Sequence, residues 1–259
     1  MQRLIDGIKR AARLTPPGRD VRIRDGDVLL TSYPRSGNTW LRFLLANLLR
    51  PDVTHTLETL ARVVPDIYKT SARNLERIPD PRVMKSHEYF DPRYPRMIYL
   101  VRDPRDVAVS FFHYQRDRGG LPPSLTIDEW MPTYLRGAGS RHGSWKEHVE
   151  SWLATRGDSP SLLLLRYEDL VTDPTGELAR IAGLLGVEWT RAETEQAIAR
   201  SSMTKLRAAE ARSRDATPGT TARRGVAGAW TEELPRPSIE AIETNIGDTM
   251  QKLSYDMTI

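Results

Sequence analysis

Lys85 and His87 stand two residues apart in a short strand-like run, Arg82-Val83-Met84-Lys85-Ser86-His87. On a β-strand such a pair projects to one side. A cation there can hold an anionic group while a neutral imidazole, with an ordinary pKa of about 6.5, takes a proton. A solvated strand end would have the same composition. Upstream, Tyr33-Pro34-Arg35-Ser36-Gly37-Asn38-Thr39-Trp40 separates a β-like run from a helical one. Loop amides and a helix N-terminus attract an anion, and Arg35, Ser36, Asn38 and Thr39 add side-chain donors. This is not a Walker A loop, because Gly37 is followed by Asn38 and not by Lys. An ordinary strand-to-helix turn also favours Pro, Ser, Gly and Asn. Two further segments are basic: Arg102-Asp103-Pro104-Arg105-Asp106, with Ser110 about two helical turns further along, and Arg223-Arg224-Gly225, which runs into a glycine-rich turn ending at Trp230. An ion pair with Asp103 or Asp106 is the plainer use of Arg102. Together, three separated basic segments suit a ligand with phosphates at more than one position.

Positioning these residues calls for alternating strands and helices. Asp27-Val28-Leu29-Leu30 reads as a strand and Leu41 to Leu49 is apolar at helical spacing. Residues 51–81 read as helix and loop. Met97-Ile98-Tyr99-Leu100-Val101 is wholly apolar, as a strand covered on both faces is, and Asp103 and Pro104 fit the cap and first turn of the helix after it. Residues 115–142 read as an insertion near the site with one helix at 126–136. In the next helix, Trp145, His148, Val149 and Trp152 share one face and read as core. Ser161 to Tyr167 reads as another central strand, 174–187 and 190–201 as amphipathic helices, and 238–253 as the closing helix. Residues 205–224 show little apolar periodicity and read as a long surface segment. The pattern is α/β: one domain over 27–259 with a central parallel β-sheet flanked by helices, preceded by an irregular lead-in at 1–26.

The 259 residues suffice for one such core, and 39% hydrophobic with 28% charged residues is the balance of a soluble globular chain. No apolar run approaches the ~20 residues of a membrane span. The start lacks the apolar core of a secretory signal. With no cysteine there is no thiolate metal site and no disulfide; these features point to the cytoplasm. The net charge of +4 suits an anionic ligand, but the basic residues are scattered among acids, which favours a small polyanion over nucleic acid.

In their order along the chain, these segments resemble the PAPS-dependent sulfotransferases of the cytosolic and bacterial small-molecule type, from about Val28 to Trp230 (PAPS is 3′-phosphoadenosine 5′-phosphosulfate, PAP the desulfated product). Tyr33 to Trp40 is similar to the family's Tyr-Pro-Lys-Ser-Gly-Thr-Thr-Trp loop and Lys85-Ser86-His87 to its Lys-Thr-His strand end. Val101 to Ser110 is similar to its 3′-phosphate segment. Gly143-Ser144-Trp145, Tyr167-Glu168-Asp169 and Arg223-Arg224-Gly225 with Gly228-Ala229-Trp230 match three more motifs. Six motifs in one order are decisive where no single one is.

The resemblance implies a P-loop-like nucleotide-binding architecture and roles position by position. Arg35, Ser36, Gly37, Asn38, Thr39 and Trp40 would hold the 5′-phosphosulfate end, with Trp40 also against adenine. Arg102 and Ser110 with Arg223, Arg224 and Gly225 would hold the 3′-phosphate. Tyr167, and Ser201, Ser202 and Met203 where the family has Thr-Ser-Phe, would lie near adenine. His87 would be the general base on the hydroxyl of a small-molecule acceptor, with Lys85 on the transferring group and Arg35 on the leaving phosphate. No metal, nucleic acid or membrane span is implied. Two departures stand out. Arg35 replaces the family's loop lysine and can stabilise charge but not donate a proton readily; Ala229 replaces an Asp and reads as structural variation. A P-loop kinase is opposed by the missing Gly-Lys-[Ser/Thr] and the lack of a clear Mg²⁺ carboxylate. A purely binding module has no need of Lys85 and His87. The acceptor surface is expected from 88–95, 111–142 and 205–222, the last a candidate lid, with Glu88 either facing the acceptor or simply solvated.

Overall fold

Five consecutive buried residues, Val28–Ser32, form β1, the strand on which the molecule is built. In the computed structural model, which describes residues 21–212 and 225–259, β1 pairs in parallel with β2 (Val83–Ser86) on one side and β3 (Arg96–Val101) on the other. Strand β4 (Leu162–Arg166) pairs in parallel with β3, giving the order β2-β1-β3-β4. The chain leaves β1 for one neighbour and returns past it to the other, so a crevice opens where the strand order reverses. Register puts Thr31 beside Ser86 and Ser32 beside Leu100. The loop after β1, the Lys85–His87 strand end and the start of the Arg102 segment therefore emerge at the carboxyl end of the sheet.

Helices cover both faces. They are α1 (Asn38–Leu49), α2 (Leu57–Val63), α3 (Ala72–Leu75), α4 (Pro104–Asp117), α5 (Ile127–Leu135), α6 (Trp145–Arg156), α7 (Tyr167–Thr172), α8 (Pro174–Leu185), α9 (Arg191–Arg200), α10 (Met203–Ala211), α11 (Trp230–Glu233) and α12 (Arg236–Lys252). Alternate strand residues point to opposite faces. Leu29, Met84, Met97 and Tyr99 pack with Val107, Trp130, Trp145, Trp152 and Ile242. Val28, Leu30, Val83, Ile98 and Leu100 pack with Leu41, Leu44, Leu45, Leu178 and Ile181. That double covering is why the strands read as unbroken apolar runs. Trp145, His148, Val149 and Trp152 are buried, as their shared face suggested. Among the described residues, no helix is long and apolar enough to cross a membrane.

Three expectations need correction. Strand β4 is an edge strand and not a central one; Leu163 and Leu164 are only half-buried, because a leucine run packed on a sheet flank reads like one covered on both faces. Tyr167 opens a short helix directly after β4. Lys205 to Ala211 is not surface loop but part of α10, whose Leu206 and Ala209 pack on Phe43, Ala46 and Leu60. Its alanines, which resemble loop composition, are the strongest helix formers. The expected lead-in up to residue 20 and the 213–222 part of the expected lid lie outside the described residues.

Candidate active site

The β1–α1 loop reverses within a few residues because Arg35 and Gly37 both adopt left-handed backbone, φ 73° and 97°. Successive amides in such turns form an anion-binding concavity. At Gly37 a side chain is excluded twice over: the φ is unfavourable for one, and a Cβ would lie 2.4 Å from the Tyr167 ring. Gly37 also brings no capping side chain to α1, the arrangement in which first-turn amides are answered by a ligand. Among the described residues, Ser36 Oγ, Asn38 Oδ1 and Arg102 Nε are buried without a hydrogen-bond partner. Unpaired buried polar atoms are costly; Ser36 Oγ and Arg102 Nε can donate to an anionic group held beside this loop, whereas Asn38 Oδ1, an amide oxygen, only accepts.

Arg102 does form the expected ion pair with Asp106, at 3.3 Å. It also donates to the Val226 carbonyl at 2.8 Å and lies 4.4 Å over the Tyr167 ring. Arg35 joins this segment to the loop, its Nε donating to Ser110 Oγ at 3.1 Å. Burial lowers the Arg35 guanidinium to about 10, which leaves it charged at neutral pH. Asp106, unnoticed as a site residue in the sequence, accepts from the Gly228 and Trp230 amides at 2.8 and 3.0 Å. It thereby fastens the C-terminal turn to the Arg102 segment. Gly225 and Met203 touch so closely that a Cβ on Gly225 would meet the Met203 side chain at 2.1 Å. Trp40 stands edge-on to Tyr167 at 5.7 Å, and its indole donates to the Ser201 carbonyl at 3.0 Å. Thr39, Trp40, Tyr167, Met203, Gly225 and Ala229 line one cleft. Ser202 does not join them; it is exposed ahead of α10. Arg223 and Arg224 lie outside the described residues.

Lys85 and His87 face the same cleft, as their spacing implied. Lys85 Nζ is 2.9 Å from Asp66 Oδ2 and 4.9 Å from the centre of the Tyr68 ring. Burial brings the Lys85 ammonium down to about 8, with the Asp66 carboxylate opposing the fall. His87 Nδ1 lies 2.6 Å from the Ser32 carbonyl. A carbonyl only accepts, so Nδ1 carries the hydrogen and Nε2 keeps the lone pair of the neutral ring. Burial, helped by the Lys85 charge, holds His87 well below the usual histidine range. Its backbone is fixed from both sides: the amide donates to Tyr68 hydroxyl at 2.7 Å, and the carbonyl accepts from His148 Nε2 at 3.0 Å. His148 Nδ1 in turn accepts from the Tyr99 hydroxyl at 2.8 Å. A second imidazole, His142, lies 5.4 Å from the His87 ring.

The cleft has a volume of about 800 Å³. Beyond His87 it is walled by Leu57, Tyr68, Phe111, Tyr114, His142 and Leu206. Residues 88–95 contribute nothing to the lining, and the half-buried Glu88 instead uses its carbonyl to accept from Trp152. The wall from 57–69 was not anticipated. Its one sequence signal was Asp66, an acid with no assigned partner ahead of a lone strand lysine. Among the described residues, no three His, Cys, Asp or Glu side chains gather into a metal-binding group.

A parallel sheet with the β1–α1 loop at its reversal point is an α/β architecture that places a ligand site at the carboxyl ends of its strands. Residues 25–254 match the sulfotransferase domain family, and the chain belongs to that family. It is 34% identical to sulfotransferase 1B1 of Mus musculus over 62% of this chain and 58% of that protein. With sulfotransferase 2B1 of Homo sapiens it shares 28% over 85% of this chain and 65% of that protein. It thus spans less than two thirds of the length of these two relatives. Its fold superimposes on mouse sulfotransferase SULT7A1 complexed with PAP with a TM-score of 0.72 at 25% identity, covering 90% of this chain and 87% of that one.

Proposed function

We propose that this protein transfers the sulfuryl group of PAPS to a hydroxyl of a small-molecule acceptor, with the domain comprising 27–259 and acting in the cytoplasm. The observation that carries the reading is the His87 Nδ1 bond to the Ser32 carbonyl at 2.6 Å. It leaves a basic Nε2 beside Lys85, one strand away from an anion loop. Bound PAPS supplies an electrophilic sulfuryl group, whose bond to the 5′-phosphate oxygen breaks as the bond to the acceptor oxygen forms. Here His87 Nε2 takes the acceptor's proton, so no charge builds up on the attacking oxygen. Lys85, held by Asp66, offsets negative charge on the transferring oxygens, and Arg35 does so on the leaving phosphate. The 5′ end would be held by Ser36, Gly37, Asn38 and Thr39. Arg102 and Ser110, with Arg223, Arg224 and Gly225, would hold the 3′-phosphate. Trp40, Tyr167 and Met203 would enclose adenine, with Ser202 a peripheral member at most.

The test is PAPS turnover against a panel of phenols, sugars and natural-product alcohols, with PAP binding titrated in parallel. Transfer that disappears in His87→Ala while PAP still binds supports the reading. No PAP binding by the wild-type protein overturns it.

A further inference from the structure

Among the titratable groups of the cleft that the mechanism leaves unused, His142 stands next to the reacting centre. The His142 residue is 9% exposed and lines the cleft. Its ring lies 5.4 Å from that of His87 and 6.0 Å from that of Tyr68. Its backbone amide donates to Ser140 Oγ, but neither ring nitrogen has a hydrogen-bond partner among the described residues. Burial, together with the neighbouring cations, pushes the ring down to about 3. It is therefore neutral under working conditions and offers one donor and one acceptor. The residue is nine-tenths buried, lines the cleft next to the catalytic imidazole and has no ring partner among the described residues, so its ring nitrogens are available to a ligand.

We propose that His142 is a specificity-determining residue that binds a second oxygen of the acceptor, on the carbon next to the one bearing the reacting hydroxyl. The acceptor class is then a vicinal diol, either a catechol or a cis-diol of a sugar-like ring. Each hydrogen bond adds about 3 Å of reach, so two rings this close can each hold one oxygen of such a pair. The reacting hydroxyl stays on His87 Nε2 and its neighbour sits on His142. A mono-hydroxyl acceptor would leave His142 unsatisfied, which a site built to hydrogen-bond penalises. This rests on the sulfotransferase reading.

The test measures kcat/KM for catechol against phenol and for cis-1,2-cyclohexanediol against cyclohexanol. Wild type should favour the diol by about tenfold in at least one pair. In His142→Phe that preference should vanish while phenol turnover and PAP affinity persist, and His142→Gln should restore part of it. A wild type with no diol preference, or a preference that survives in His142→Phe, overturns the proposal. So does transfer to none of the four acceptors by an enzyme that binds PAP, which leaves the nucleotide-site reading standing. Absence of PAP binding removes that underlying reading itself.

Discussion

Around the β1–α1 loop, Ser36 Oγ, Asn38 Oδ1 and Arg102 Nε are buried without partners among the described residues, whereas across the cleft Lys85 is answered by Asp66 and His87 by Ser32 and Tyr68. The first region keeps buried polar atoms open among the described residues, although Arg102 has Asp106 as a counter-charge. The second is satisfied internally, so its protonation states are set by neighbours within the chain. The comparison separates two kinds of consequence. Changes in the loop region should appear in nucleotide affinity, and changes around Lys85 and His87 in rate and pH dependence.

The largest effect should come from His87→Ala. Loss of a positioned general base should lower kcat by about 10²–10⁴-fold, with PAP affinity by calorimetry within a few-fold of wild type. A comparable loss of PAP affinity would erase the distinction between the two regions. Gly37→Ala is the converse. A side chain in left-handed backbone costs of order 1–3 kcal/mol, and the added Cβ would strike the buried Tyr167 ring at 2.4 Å. PAP should bind about tenfold more weakly or worse, since tenfold corresponds to about 1.4 kcal/mol. Unchanged affinity would mean that the loop does not cradle the nucleotide.

Asp106→Ala probes the seam between the regions. It removes the acceptor of the Gly228 and Trp230 amides and the partner of Arg102. Leaving buried groups unpaired costs about 1–3 kcal/mol, so urea unfolding should show a loss of that size, accompanied by weaker PAP binding. A fall in stability with affinity intact would restrict Asp106 to holding the turn.

The loop half was legible in the sequence because its residues are local: β1, the turn and α1 follow one another, and Gly37 and Asn38 mark the turn by their own chemistry. Lys85 and His87 were legible for the same reason, since period-two spacing on a strand fixes a shared side. Asp66 and Tyr68 were not, because they reach the cleft from a loop after α2; His142 lies in the 111–142 segment expected at the acceptor surface but was not singled out, because its place beside His87 depends on how the segment before α6 packs. Only tertiary packing brings those segments to β2. The leucines of β4 misled in a related way, as strand composition records apolar contact but not whether a further strand lies beyond. In α10, the alanines that looked like loop composition were helix formers awaiting the apolar patch of Phe43 and Leu60.

The smallest expected effect tests how far the reaction half is tuned from within. Lys85 must be protonated to offset charge on the transferring group, and with its ammonium at about 8 kcat/KM should fall as pH rises through that value. His87, held well below the usual range, should add no acidic limb near pH 6.5. The Asp66 carboxylate favours the charged form of Lys85 by attraction and by a hydrogen bond. Asp66→Asn keeps a hydrogen-bond acceptor but removes the negative charge, so burial acts on Lys85 with less opposition. The alkaline limb of kcat/KM should then move to lower pH. In kcat the shift should be smaller, because a bound polyanion restores part of the missing negative charge. Lys85→Arg should remove the limb from the accessible range, since a guanidinium stays charged. A limb that stays in place in Asp66→Asn would show that a group other than Lys85 controls it.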